Sequence, residues 1–199
     1  RSHPFSPNMS EPLLTFDAVH NLDGVAPPDP NGDVGVNQYI AMAKYHFCIY
    51  DKLTGTNLIS PMLMSTLFAA AGFPPPASTT DNGDPIVLYD HLAGRWLISQ
   101  FIVDVTPCHE VIAISMTEDA TGGWYLYDFV MPNDKMNDYP HFGVWPDGYY
   151  MSDNQFNPNN FWRRSDEKTY IGDTFSCPSA GKFVCRRKIL VSRRQMALG

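Results

Sequence analysis

No stretch of the 199 residues approaches the ~18–20 consecutive apolar residues that a membrane-crossing helix requires, so a helical membrane span is excluded. The four cysteines (Cys48, Cys108, Cys177, Cys185) show no CxxC spacing, which removes the usual zinc frameworks. The six histidines are scattered, with neither His-x-x-x-His nor HExxH spacing. There is no Gly-x-Ser-x-Gly elbow, P-loop or dinucleotide fingerprint. Basic residues are few, and the formal net charge of −7 argues against nucleic acid as a partner while tolerating cations.

What is abundant is turn chemistry. Seventeen prolines, fourteen glycines and 13% aromatics predict many turns and short strands rather than long helices. An apolar content of 44% is enough for one domain with a real core. The charge is unevenly spread. Residues 1–160 hold 18 acidic and 5 basic side chains, whereas residues 161–199 hold 3 acidic and 9 basic ones. The cysteines permit up to two disulfides in three connectivities, Asn8-Met9-Ser10 is an N-glycosylation sequon, and the chain opens on Arg1, which suits a processed N-terminus. Together these predict an extracellular protein.

The chain repeats a turn-strand-turn-strand phrase. Its copies begin at Asn31-Gly32-Asp33, Asn82-Gly83-Asp84-Pro85 and Asn137-Asp138-Tyr139-Pro140, so the aspartates are 51 and 54 residues apart. A period near 50 with about four short strands per unit predicts an all-β, β-propeller-like fold, with a β-sandwich as the rival. Met62–Phe73 (MLMSTLFAAAGF) lacks alternation and ends before Pro74-Pro75-Pro76, which predicts a short inserted helix over about 62–72. Three units fall short of the roughly four to eight blades of a propeller. The chain is therefore expected to be incomplete or to be completed by assembly. Residues 1–160 form the expected propeller-type domain. Residues 161–199 form an atypical basic segment: a solvated extension, a surface for an anionic partner, or a product of a shifted coding frame near Asn160.

Four phrases carry a resemblance: DPNGDVGVNQYIAMA, GDPIVLYDHLAGRWLISQF, ISMTEDATGGWYLYDF and NDYPHFGVWPDGYYMSDNQF. They resemble secreted bacterial β-propellers of sialidase-like, Asp-box-type architecture, over about residues 15–157. Thr117, Asp119, Gly122 and Trp124 look like a degenerate Asp-box, which in that group is a structural turn remote from the active site. Sialidases also use an arginine triad; with only Arg1 and Arg95 before position 161, sialidase activity does not carry over. Asp29-Pro30-Asn31-Gly32 is similar to the Asp-Pro-Asn-Gly of five-bladed fructosidases, in which that aspartate is the nucleophile. Asp84-Pro85 is similar to the Asp-Pro of their transition-state stabiliser. That resemblance implies Asp29, Asp84 and Glu110 as a catalytic set, although Glu110 lacks the family's Glu-Cys context and the spacings are shorter.

Two further constellations come from the residues themselves. Asp29, Asn31 and Asp33 place oxygen ligands at alternate positions of a turn, a pattern that suits Ca²⁺; Val34 and Ile40 exclude an EF-hand loop. Alternatively, the Asp and Asn side chains bond their own turn. If the units are blades, Asp33, Asp84 and Asp138 point together into a channel, where like charges call for a cation, arginines or protonation. That ring would suit Ca²⁺ or sugar hydroxyls; otherwise each aspartate caps its own turn. The strand aromatics Trp96, Trp124, Tyr125, Trp145, Tyr149 and Tyr150 are expected to lie mostly in the core, with a few available to stack on sugars. The expected function is an extracellular module binding glycans or protein partners, with calcium as a stabilising ion. The alternatives are a glycoside hydrolase with paired carboxylates and a structural piece of a larger extracellular assembly.

Overall fold

The computed structural model describes residues 11–157 (Asn133 by its backbone alone) and, beyond them, the backbone of four short strands. The elements run β1 (Asn31–Val34), β2 (Gln38–Ala43), β3 (His46–Asp51), β4 (Asn57–Leu63), α1 (Met64–Ala70), β5 (Gly83–Asp90), β6 (Arg95–Ile102), β7 (His109–Ser115) and β8 (Gly123–Val130). There follow β9 (Met136–Trp145), β10 (Gly148–Phe156), β11 (Lys168–Tyr170), β12 (Thr174–Ser176), β13 (Val184–Cys185) and β14 (Ser192–Ala197). The fold is all-β, built from small antiparallel sheets with one α-helix among the described residues.

The first sheet is a four-stranded meander, β1-β2-β3-β4. The second repeats it as β5-β6-β7-β8 and gains β14 on its outer edge through pairing with β8. In the third, β9 and β10 form a hairpin, and β11 and β12 pair with β10. The basic segment read as foreign thus supplies strands to two of the three sheets. No closed ring of sheets is formed among the described residues. The first strands are nonetheless neighbours: β1 lies beside β5, and β5 beside β9.

Sequence periodicity explains which faces are buried. In β5, alternate residues (Gly83, Pro85, Val87, Tyr89) are buried, as period-two patterning requires. The central β7, HEVIAIS, is buried along its whole length because sheets cover both of its faces. On one side of the second sheet, Val87, Trp96, Ile98 and Trp124 pack with Ile40, Phe47 and Ile49 of the first. On the other, Leu97, Ile112 and Phe129 pack with Met136, Tyr149 and Met151 of the third.

The helix closes the first of these cores. Leu67 and Phe68 are fully buried there. Its start is held from a distance: Asp81 accepts the Ser65 backbone N–H at 2.9 Å and the Ser65 hydroxyl at 2.5 Å. Its end is a Schellman turn, with Gly72 at φ +71°, its N–H on the Ala69 carbonyl and the Phe73 N–H on the Phe68 carbonyl. The Phe68 and Phe73 rings, 5.0 Å apart, supply the apolar contact that accompanies such a turn. The helix falls inside the 62–72 window expected from sequence.

Other expectations are placed as follows. Cys48 and Cys108 are free and buried; burial pushes both thiols up from their ordinary range. Cys177, the Cys185 side chain, Asn8 and Arg1 lie outside the described residues.

Candidate functional site

Five charged side chains meet at the end of the molecule where β5 begins and β2 and β6 end. Asp29, Lys44, Asp84, Asp104 and Asp138 line a cleft of about 570 Å³ whose apolar wall includes Phe101 and Met136.

The backbone makes this convergence possible. Five non-glycine residues have left-handed φ among the described residues, and four belong to the cleft or its rim: Asp29 (42°), Lys44 (53°), Asp84 (46°) and Tyr139 (55°). Non-glycine residues rarely adopt this region, and each instance costs on the order of 1–3 kcal/mol. Asp29, Asp84 and Tyr139 each stand directly before a proline, a position that ordinarily favours extended backbone. Their numbers differ by 55 and 55, so this positive-φ X-Pro step recurs at an even spacing where the Asp33, Asp84, Asp138 alignment gave unequal ones. The residue before proline therefore marks equivalent positions in the three sheets.

Lys44 is the cation of the site. Its backbone N–H donates to the Pro28 carbonyl at 2.7 Å, and its side chain, almost wholly buried, donates from Nζ to Asp29 Oδ2 at 2.7 Å. To get there it crosses the backbone of Gly83. A Cβ on Gly83 would lie 2.9 Å from Lys44 Cε and 3.0 Å from Nζ, and Gly83 also has φ +107°. Glycine is thus required twice over.

Asp84 occupies the opposite electrostatic situation. Burial raises its pKa, the negative charges of Asp29 and Asp138 raise it further, and Lys44 and the Tyr139 N–H offset these only in part. The cleft therefore holds two dissimilar carboxyls: Asp29 in contact with an ammonium, and Asp84 inclined to keep its proton. Next to Asp138, Tyr139 is 62% exposed and meets His141 edge-to-face, with ring centroids 4.3 Å apart.

The sequence-derived sets are only partly brought together. Asp29 and Asp84 share the cleft, and Asp138 joins them. Asn31 and Asp33 do not, because both are used in holding β1 to β5. Asn31 Oδ1 accepts the Val87 N–H at 2.8 Å, and Asp33 Oδ2 accepts the Tyr89 N–H at 2.7 Å. Among the described residues no group of three His, Cys, Asp or Glu side chains is close enough to hold a metal ion. Glu110 also lies apart from the cleft lining. It is completely buried between the second and third sheets, where Oε2 accepts Asn137 Nδ2 at 2.7 Å.

The Asp-box-like hairpin is a structural turn at the other end of the second sheet. Asp119 accepts the Thr121 N–H and hydroxyl and Gln38 Nε2 (2.7 Å), while Trp124 Nε1 donates to the Ala120 carbonyl. Lys44, Asp104 and Tyr139 were missed from sequence; the signal that could have found Tyr139 is the X-Pro step recurring every 55 residues. Comparison with family models, with curated proteins and with solved structures finds no match to this chain.

Proposed function

We propose that this chain is a β-propeller-type extracellular module that binds a carbohydrate in the cleft formed by Asp29, Lys44, Asp84 and Asp138. The observation that carries the reading is the convergence of carboxyls from the leading ends of three sheets on one cleft, with an exposed tyrosine on its rim. Carboxylates accept hydrogen bonds from sugar hydroxyls, Lys44 donates to them, and the Tyr139 ring offers an apolar surface to a pyranose face. The two repeated four-stranded meanders and the adjacency of β1, β5 and β9 support the propeller-type architecture.

A glycan array followed by calorimetric titration tests the reading. Binding that is reduced at least tenfold by Asp84→Asn and by Tyr139→Ala, with Tyr139→Phe close to the parent, is the expected result. Absence of binding to any glycan removes it and leaves a structural role in an extracellular assembly.

One observation favours a second reading, glycoside hydrolysis. Two carboxyls share one cleft in unlike surroundings, Asp29 against the Lys44 ammonium and Asp84 with its pKa raised by burial, and such a pair could supply an acid and a base or nucleophile. Asp84 would protonate the leaving oxygen and Asp29, paired with Lys44 at 2.7 Å, would act on the other side. Release of reducing sugar, abolished by Asp84→Asn, distinguishes the enzyme from the binder.

A further inference from the structure

Tyr139 is the first of a row of side chains that the cleft does not account for. Along β9, Tyr139, His141, Gly143 and Trp145 are exposed in alternation, while Phe142 and Val144 between them turn inward against the second sheet. On β10, Tyr150 stands opposite Gly143 and Ser152 opposite His141, on that same outer face. Trp145 is 68% exposed and Tyr150 38%. Large aromatic side chains ordinarily bury most of their surface, and three on one face of one hairpin form the kind of contiguous patch that marks a binding surface.

The row has relief. Gly143 lies between His141 and Trp145 and across from Tyr150, and a Cβ added there would meet no heavy atom within 4 Å. The glycine is thus the bare floor of a trough with aromatic walls. Two of these walls are fixed in advance. Tyr139 and His141 meet edge-to-face, and the Tyr150 hydroxyl donates to Asp147 Oδ2 at 3.0 Å. Side chains already held lose little rotamer freedom when a ligand arrives. The trough also continues the cleft: Asp138 lines the cleft and pairs with Asn154 of β10, in the row that leads on to Ser152 and Tyr150.

We propose that this trough binds an uncharged, linear polysaccharide, several sugar units of which run along β9 from the cleft to Trp145. Its length suits a chain: Tyr139 to Trp145 spans roughly 20 Å at about 3.3 Å per residue, more than one sugar ring can cover. Its chemistry suits sugars, because aromatic rings stack on the apolar faces of pyranoses while His141, Ser152 and Asn154 offer hydrogen bonds to their hydroxyls. Its charge suits a neutral ligand. Beyond Asp138, β9 and β10 place no Asp, Glu, Lys or Arg on this face. With a formal net charge of −7 on the chain, an acidic polysaccharide would be repelled and find no counter-charge there.

A glycan held along β9 rests on the carbohydrate reading of the cleft for its first contacts, and chain length separates the two. Cello-, laminari- and xylo-oligosaccharides, from disaccharide to hexasaccharide, are titrated calorimetrically into the full chain. Affinity within one series should rise about tenfold or more with length as the rings reach Trp145. Trp145→Ala and Gly143→Leu should each return the hexasaccharide to the disaccharide's affinity, with thermal unfolding as the control for folding. Affinity independent of length, or a gain that survives both substitutions, overturns the trough and leaves the cleft reading standing. A gain with length that survives Asp84→Asn removes the cleft reading instead. Absence of binding in all three series overturns the trough, and the cleft reading then stands or falls on the glycan array. A dimer in sedimentation that Trp145→Ala dissociates identifies the face as a contact between copies of the chain and likewise overturns the trough.

Discussion

Glu110→Gln alters the pH dependence of folding by an amount that follows from the burial of one carboxyl. In the unfolded chain the group titrates at its ordinary 4.5, whereas in the folded protein it titrates at about 8. Between these values the folded state holds a proton that the unfolded state has released. Stability from this group is therefore complete below pH 4.5 and declines as pH rises towards 8. At about 1.4 kcal/mol per pKa unit, the full decline is on the order of 5 kcal/mol. That is comparable to the whole stability of a marginal domain, which lies at roughly 5–15 kcal/mol. Asp84, also raised, adds to the decline, while Asp51 and Asp119 have lowered pKa values and act only below the ordinary 3.8. Urea denaturation followed by tryptophan fluorescence is suited to the measurement because Trp96 and Trp124 are fully buried. The parent should lose several kcal/mol between pH 5 and pH 8.5. Glutamine keeps an acceptor for Asn137 but has no proton to lose, so its curve should be much flatter and cross above the parent at alkaline pH. Parallel curves across this range would refute the argument that Glu110 is buried as a neutral acid.

Asn31→Ala removes the acceptor for the buried-edge Val87 N–H and should cost about 1–2 kcal/mol in urea titrations, equally in calcium and in EDTA, because its work is to join two sheets. Gly83→Ala should destabilise by roughly 2–3 kcal/mol through its positive φ and the collision with Lys44, and should weaken glycan binding by displacing that amine. Asp84→Asn should raise the melting temperature at pH 7 by relieving repulsion from Asp29 and Asp138, while abolishing binding; a lowered melting temperature would contradict the crowding of charge described for the cleft. Tyr149→Phe should cost about 1–2 kcal/mol, since its hydroxyl donates to the buried Asp90 carboxylate at 2.7 Å, and thermal unfolding at neutral pH measures it.

Much of the sheet structure was legible because turn and strand signals are local. Asp90-His91-Leu92-Ala93-Gly94 between two apolar runs reads as a hairpin turn, and Asp90 does accept the Leu92 and Ala93 N–H groups there. Pro146-Asp147-Gly148 likewise separates β9 from β10. The site was only half legible. The letters Asn-Gly-Asp recur, but they precede the proline at position 85 and follow the one at position 30, so matching letters brought Asp33 into a ring to which it does not belong. What recurs is a backbone torsion, and torsions are written in sequence only indirectly, through the X-Pro step. Glu110 was misplaced for a different reason. It entered the catalytic set through the resemblance to fructosidases, whereas the strand that carries it is covered on both faces and keeps it out of the cleft lining. Lys44 was overlooked because its role depends on a glycine 39 residues away.

The joint between β1 and β5 deserves a last consideration. Each meander completes its own backbone ladder, and the join is made by Asn31 and Asp33 reaching across to amides of the next unit. Such a connector is encoded entirely within one repeat. Fifty-five residues on, in the register of the X-Pro steps, the same positions hold Ile86 and Leu88, which have no side-chain acceptor, so this joint is particular to the first pair of sheets. Because the recipient strand contributes only its main-chain N–H groups, substitutions among the β5 side chains leave the joint in place, whereas loss of Asn31 or Asp33 opens it.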